Sequence, residues 1–106
     1  MYHDKFMVNV IRDMISFEFL TGTVHLTFRL TKRDIEKILS LIEGQGIEKE
    51  VSANSLRKHL RIYFSDEGMK IVLENEGIHE GIQERYLDKD GKSILKKKLK
   101  GFLEIK

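Results

Sequence analysis

Residues 13–30 read DMISFEFLTGTVHLTFRL. Thr21 and Gly22 form a candidate two-residue turn, because glycine tolerates the positive φ that such turns require. If the chain folds there, every second residue of the two flanking segments lies on one side of a ribbon, and that side is apolar. The predicted pairs are Phe19 with Val24, Phe17 with Leu26, and Ile15 with Phe28. We therefore predict a β-hairpin over residues 14–30, whose apolar side another part of the chain must cover.

Residues 59–74 show the same pattern around the segment Ser65–Gly68, which has the composition of a hairpin loop. Folding at this loop again places apolar residues opposite one another on one side. The predicted pairs are Phe64 with Met69, Ile62 with Ile71, and Leu60 with Leu73. This pattern predicts a second hairpin, preceded by a short helix from about residue 53 to residue 58.

The region allows a different interpretation, in which Ser52 caps one helix that runs to Phe64. A valine-serine pair before a helix rich in arginine and lysine resembles the recognition helix of helix-turn-helix proteins. The resemblance implies DNA contacts from the residues that would project from this helix, which are Asn54, Arg57, Lys58 and Arg61. We favour the hairpin, because a helix gives no reason for the matched apolar pairs.

Three further helices are predicted, and together with the hairpins they define the fold class. Residues 32–43 follow Thr31, a candidate helix cap with Asp34 in the capping-box position. Residues 78–87 carry apolar side chains every four positions, and residues 93–103 begin with Ser93, another candidate cap. We expect one α+β domain over residues 1–106, with an antiparallel sheet of two hairpins covered on one face by helices.

The opening segment, residues 4–14, fits two patterns. Phe6, Met7, Val10, Ile11 and Met14 form a helical stripe, whereas Phe6, Val8 and Val10 alternate as in a strand. Between these two patterns we favour the helix, with Asp4 as its cap.

Composition excludes several classes of protein. The chain has 34% charged and 41% apolar residues, which is typical of a globular domain rather than a disordered one. It contains no cysteine, which excludes disulfides and thiol chemistry and fits a cytoplasmic location. There is no apolar run long enough to span a bilayer, and the first residues lack the layout of a secretory signal. We expect no membrane association.

No residue pattern indicates catalysis, a metal ion or a cofactor. The sequence lacks a phosphate-binding loop and a Gly-x-Ser-x-Gly turn, and its four histidines do not have metal-ligand spacing. The segment Asp88–Gly91 resembles the start of a calcium loop, but Leu99 occupies the position of the closing glutamate, which favours a plain turn. We expect a protein that is not an enzyme and has no cofactor.

Positive charge is concentrated at the C-terminus. Residues 91–106 contain six lysines and one glutamate, a balance of +5, which leaves −3 for residues 1–90 of a chain whose net charge is +2. Clustered lysines bind nucleic-acid phosphates by releasing condensed counterions. The candidate nucleic-acid-binding residues are Lys92, Lys96, Lys97, Lys98 and Lys100 of the last helix, supported by Arg57, Lys58 and Arg61. Tyr63 and Tyr86 are the tyrosines near basic residues, and we expect both to be packed rather than exposed.

Two functional hypotheses follow. In the first, the chain is a small regulatory protein that binds DNA or RNA through the phosphate contacts of its basic C-terminal helix. In the second, it is a protein-interaction module such as an inhibitor or adaptor, with no role in nucleic-acid binding. That module would dock the basic helix on an acidic protein surface, offer a free sheet edge to a partner strand, or form a homodimer.

Overall fold

A computed structural model describes residues 5–22, 24–44, 50–77 and 81–105 of the chain. Within these ranges the chain forms seven strands and two helices. The elements are β1 (Lys5–Ile11), β2 (Met14–Thr21), β3 (Val24–Leu30), α1 (Lys32–Ile42), β4 (Glu50–Ser55), β5 (Lys58–Ser65), β6 (Gly68–Asn75), β7 (Ile82–Asp88) and α2 (Lys89–Ile105).

The strands form two antiparallel sheets, a three-stranded sheet of order β1-β2-β3 and a four-stranded sheet of order β4-β5-β6-β7. The predicted antiparallel α+β class is confirmed, and both predicted hairpins are present. The hairpins belong to different sheets, however, rather than to one sheet of four strands. Helix α1 contacts β3, β4 and α2, and α2 also contacts β1, β6 and β7.

One hydrophobic core joins the inner sides of both sheets with both helices. Apolar side chains from every one of these layers have no solvent exposure at all. They are Ile15, Phe17, Phe19, Ile35, Ile38, Ile62, Ile71, Leu73 and Leu99. Neither sheet could bury its apolar side alone, so the two sheets and the helices depend on one another for stability.

The first hairpin has the predicted faces but a different register. Thr21 pairs with Val24, so Thr21 belongs to β2, and Phe19 lies opposite Leu26 instead of Val24. Gly22 has a φ of 57°, the left-handed conformation that the turn requires. A shift of two residues leaves each side chain on the same face, because side chains alternate with a period of two.

The second hairpin is confirmed residue for residue. Phe64 lies opposite Met69, and the same register holds along both strands to His59, which lies opposite Glu74. Ser65 pairs with Gly68, so the turn consists of Asp66 and Glu67.

Residues 5–11 form strand β1, so the helix that we favoured over residues 4–14 is wrong. Strand β2 supplies the reason, because antiparallel pairing places Phe6 opposite Phe19 and Val8 opposite Phe17. The ring of Phe6 makes edge contacts with Phe17 and Phe19 at centroid distances of 5.1 and 5.3 Å. Asp4, the proposed cap, lies outside the described residues.

The predicted short helix over residues 53–58 is also wrong, and so is the longer recognition helix over residues 52–64. Residues 50–55 form strand β4, in which Val51 pairs with Ile62 and Ala53 pairs with Leu60. A tight turn, in which Arg57 has a φ of 38°, then leads into β5. The apolar positions on both sides of this turn pair with one another, which a single helix would not allow.

The predicted helix over residues 78–87 is replaced by strand β7 over residues 82–88. Residues 78–80 lie outside the described ranges. In β7 the inward positions are held by Gln83 and Arg85, which are 7% and 8% exposed. Polar residues at core-facing positions hide the alternation that identifies a strand.

Helix α2 covers the predicted helix at residues 93–103 but begins earlier. Its first residue is Lys89, and the Asp88 carboxylate accepts a hydrogen bond of 2.8 Å from the backbone N–H of Gly91. Asp88 therefore has the capping role that we assigned to Ser93. We expected five apolar side chains of this helix to face inward. Leu95, Leu99 and Phe102 are buried and Leu103 is half-buried, but the expectation is wrong for Ile94, which is 56% exposed.

Helix α1 begins with the predicted capping box. The Thr31 hydroxyl accepts from the backbone N–H of Asp34 at 3.2 Å, and the Asp34 carboxylate accepts from the backbone N–H of Thr31 at 3.0 Å. Both bonds satisfy backbone donors that have no partner within the helix.

Thr31→Ala is expected to lower the free energy of unfolding by about 1 kcal/mol, because it removes the acceptor for the Asp34 N–H. Urea unfolding followed by circular dichroism measures the change. Thr31→Ser is the control, since it keeps the hydroxyl and should stay close to wild type. Equal destabilisation by serine and alanine would show that the methyl group, and not the cap, is responsible.

Candidate nucleic-acid interface

One side of the four-stranded sheet faces solvent. We call it the outer face. Every side chain on it is exposed or half-buried, so no described element covers it. It carries the residues between the buried positions of each strand. They are Glu50, Ser52 and Asn54 of β4, His59, Arg61 and Tyr63 of β5, Lys70, Val72 and Glu74 of β6, and Ile82, Glu84 and Tyr86 of β7.

Two tyrosines and a lysine lie side by side across three strands of this face. Tyr63 pairs with Lys70, and Lys70 pairs with Tyr86, so the three side chains form one row, which we call the tyrosine row. The Lys70 ammonium lies over the Tyr63 ring, 4.8 Å from its centroid. Tyr86 is 72% exposed and Tyr63 is half-buried. Our expectation that both tyrosines are packed is therefore wrong for Tyr86.

The charges around the tyrosine row have both signs. Arg61 occupies the next row of β5 and is exposed. Glu50 lies opposite Tyr63, and Glu84 lies two residues before Tyr86 in β7. The two cations Arg61 and Lys70 are on the central strands, whereas these carboxylates are on the edge strands. Glu74 of the central strand β6 is four residues beyond Lys70, so the cations of the central strands lie at the end of the outer face that carries the tyrosine row.

A cleft of about 370 Å³ adjoins the tyrosine row at the end of the sheet. Its walls include both tyrosines, Lys70 and the turn between β5 and β6. The cleft is therefore continuous with the outer face, and a planar group bound on Tyr86 would lie at its rim.

Helix α2 brings one of the predicted lysines close to the tyrosine row. The Lys92 ammonium donates to the backbone oxygen of Ser65 at 3.2 Å. Ser65 is two residues beyond Tyr63 in β5, a distance of about 7 Å along a strand. Lys92 therefore adds a cation at the end of the sheet where the tyrosine row and the cleft are found.

The other predicted lysines of α2 lie farther along the helix. Lys100 is eight residues beyond Lys92, which corresponds to a rise of about 12 Å. Its ammonium is 3.5 Å from the carboxylate of Glu43, at the end of α1. Lys97 and Lys98 are exposed and Lys96 is half-buried. The C-terminal lysines are therefore spread along the helix, and Lys92 is the one whose described hydrogen bond is with the end of the four-stranded sheet.

Of the second predicted group, only Arg61 is on the outer face. Lys58 donates from its ammonium to the backbone oxygen of Thr27 at 2.6 Å, which ties β5 to the three-stranded sheet. Arg57 is in the turn before β5, where its carbonyl accepts from the backbone N–H of Glu76 at 2.8 Å. Lys58 and Ser65 are at opposite ends of β5, about 23 Å apart along the strand. The structure does not join Arg57 and Lys58 to Lys92.

Two histidines contact polar side chains of a neighbouring strand or of the turn that follows it. His25 contacts the Glu18 carboxylate at 2.7 Å, and the two residues are diagonal rather than directly opposite. His59 lies opposite Glu74, but its ring nitrogens contact Asn54 and Glu76, each at 2.7 Å. His3 and His79 lie outside the described residues. In the described part of the chain, no group of three or more histidine or acidic side chains is arranged to hold a metal ion.

Neither α1 nor α2 combines the length and apolarity that crossing a membrane requires, as far as the described residues extend.

Comparison of the chain with family models, curated proteins and solved structures gives no match.

Sequence reasoning missed the exposure of Tyr86 because it placed residues 78–87 in a helix. In a helix, Tyr86 shares a stripe with Ile78 and Ile82 and points inward. In strand β7, Tyr86 alternates with the buried residue Arg85 and points outward. Ile82, Glu84 and Tyr86 occupy every second position. This spacing is the signal that could have predicted a strand with the three side chains on one face.

Proposed function

We propose that the protein binds single-stranded nucleic acid on the outer face of the four-stranded sheet. The observation that carries the proposal is the tyrosine row, in which Tyr86 is 72% exposed on a sheet face that no described element covers. A base can stack on an exposed aromatic ring whatever its identity, and such stacking contributes about 1–3 kcal/mol per base. The proposed mode is thus tolerant of sequence.

Phosphate contacts come from the cations in the tyrosine row and next to it. Arg61 and Lys70 are on the central strands, and Lys92 is at the end of the sheet, beside Ser65. A single-stranded nucleic acid that stacks a base on Tyr86 and runs along β6 passes within reach of Lys70. The mixed signs of the outer face keep the electrostatic contribution modest, so stacking has the larger share of the binding energy.

This proposal retains the non-enzymatic nucleic-acid-binding role and relocates its surface. Base stacking on the outer face replaces the C-terminal helix as the main contact, and Lys92 is the helix residue that remains in it. Lys96, Lys97, Lys98 and Lys100 are away from the tyrosine row, so they contribute through long-range attraction that salt screens.

Tyr86→Ala is expected to weaken binding by about 5- to 150-fold, which corresponds to the loss of one stacked base. Fluorescence anisotropy of a labelled twelve-nucleotide oligothymidine at low salt measures the affinity, and oligouridine of the same length tests RNA. Tyr86→Phe keeps the ring and should bind like wild type. Leu56→Ala is the matched control, because Leu56 is 92% exposed in the turn before β5 and away from the row.

Salt dependence tests the phosphate contacts. Three phosphate contacts predict that the logarithm of the association constant falls with the logarithm of salt concentration at a slope of about −2. Lys92→Gln should reduce the slope by about 0.7, the share of one contact. If Tyr86→Ala binds like wild type while Lys97→Gln combined with Lys98→Gln abolishes binding, the sheet proposal is wrong and α2 is the interface. Absence of binding at low salt would reject both.

A further inference from the structure

We infer that the free edge of β1 is a docking site for an extended, acidic and apolar segment of a partner protein. Among the described strands, β1 pairs only with β2 and forms one edge of the three-stranded sheet. An edge strand offers backbone donors and acceptors to an added strand. This inference does not depend on nucleic-acid binding, because β1 belongs to the other sheet.

The sequence of β1 lacks the protection that edge strands usually have. After Lys5 it contains no charged residue and no proline, whereas the edge strand β7 carries Glu84, Arg85 and Asp88. Met7 and Val10 are each 45% exposed and Ile11 is 53% exposed. Natural proteins place charges on edges to prevent pairing with other chains. Strand β1 has no such charges after Lys5.

A groove of about 270 Å³ separates β1 from helix α2. Phe6, Met7 and Val8 form its strand side, and Ile94, 56% exposed, lies on its helix side. Side chains that an added strand points toward the core would enter this groove beside Phe6 and Val8. It therefore supplies apolar contacts next to the backbone hydrogen bonds of the edge.

Charge identifies the kind of partner. Lys98 is the charged residue that lines the groove, and Lys5 and Arg12 are exposed at the two ends of β1. In sequence, Asp4 precedes Lys5 and Asp13 follows Arg12, whereas Lys98 has no acidic residue within five positions along the chain. An added segment with carboxylates among its apolar residues would complement this surface, since opposite charges across an interface favour encounter and register.

A second copy of the chain is a poorer occupant. Antiparallel pairing of two β1 strands centred on Val8 would place the two-fold axis beside the groove. The two Lys98 side chains would then approach one another, because each lines the groove next to its own Met7 and Val8. Like charges at such a position oppose association. Charge thus favours an acidic segment over self-pairing.

The test uses two labelled peptides with the full-length chain. One peptide alternates valine and glutamate over eight residues, and the other alternates valine and lysine. We expect the glutamate peptide to shift the backbone amide signals of residues 6–11 in nuclear magnetic resonance spectra, and the lysine peptide to leave them unchanged. Equal binding of both peptides, or shifts confined to other strands, would overturn the inference.

Reversing the charge of Lys98 tests whether this residue selects the acidic peptide. Lys98→Glu should lower the affinity for the glutamate peptide by about 5- to 10-fold and allow the lysine peptide to bind. Lys97→Glu is the matched control, because it changes the net charge equally on an exposed neighbour that does not line the groove. If both variants have the same effect, the attraction is non-specific and the inference fails. A dimer in sedimentation that Met7→Lys dissociates would also overturn it, in favour of self-pairing.

Discussion

Arg85→Met is expected to lower the free energy of unfolding by about 2 to 4 kcal/mol. The guanidinium of Arg85 is buried where the two sheets meet, and the residue is 8% exposed. It donates to the backbone oxygen of Lys5 at 3.2 Å and to that of Leu20 at 3.0 Å, which are in β1 and β2. It also donates to Thr21 Oγ1 and, at 3.3 Å, to Gln83 Oε1. One side chain thus connects β7 to two strands of the other sheet, β1 and β2.

Methionine fills a similar volume but leaves these partly buried oxygen atoms without the Arg85 donor. A buried acceptor that loses its hydrogen bond costs about 1–3 kcal/mol, and several acceptors share this donor. The Thr21 hydroxyl keeps one bond, because it donates to Gln83 Oε1 at 2.5 Å. Arg85→Lys should fall between methionine and wild type, because one ammonium cannot reach all the positions that the planar guanidinium reaches.

Urea unfolding followed by circular dichroism gives the free energies, and Arg61→Met is the matched control. Arg61 is exposed on the outer face of the same sheet, so its loss should change stability by no more than about 0.5 kcal/mol. Similar values for the two methionine variants would mean that the Arg85 bonds contribute nothing net to folding.

Arg85 also explains why the sequence did not predict strand β7. Its hydrogen-bond partners Lys5, Leu20 and Thr21 are more than sixty positions away along the chain. A local pattern cannot show that a charged residue will be satisfied inside, so β7 with inward Gln83 and Arg85 resembled a helix. The exposure of Tyr86, on which the proposed function rests, was missed for the same reason.

The hairpins show what the sequence does determine. Alternating apolar runs on both sides of Asp66 and Glu67 predicted the second hairpin with its exact register. The first hairpin was predicted with the correct faces and a register shifted by two, because alternation cannot distinguish shifts by a whole period. The difference lies in whether Thr21 is a turn residue or the last residue of β2.

The candidate site was predicted in part. The lysines of α2 were evident from the sequence as a charged stretch, and their helix is present. Their separation was not evident, because it depends on how α2 is oriented against the sheets. Lys92 lies beside Ser65, whereas Lys100 pairs with Glu43. Only tertiary structure tells which cation accompanies the tyrosine row.

Gly68→Ala is expected to destabilise the fold by about 3 kcal/mol, at the upper end of the range for overpacking. A Cβ at this position would lie 2.0 Å from the backbone oxygen of Leu87 and 3.1 Å from the Cα of Asp88. Both atoms belong to the backbone of β7, which pairs with β6 at this point. A side-chain rotation cannot relieve the clash, so β7 would have to move away from β6.

Gly101→Ala is the matched control and should have the opposite sign. A Cβ there has no neighbour within 4 Å, and Gly101 is inside helix α2. Alanine is favoured over glycine in a helix interior, so this variant should gain about 0.5–1 kcal/mol. Thermal and urea unfolding of the two variants compares the same added methyl group in two environments. If Gly68→Ala were neutral, β7 would not lie as close to β6 as the geometry requires, and the end of the sheet that carries the tyrosine row would be placed differently.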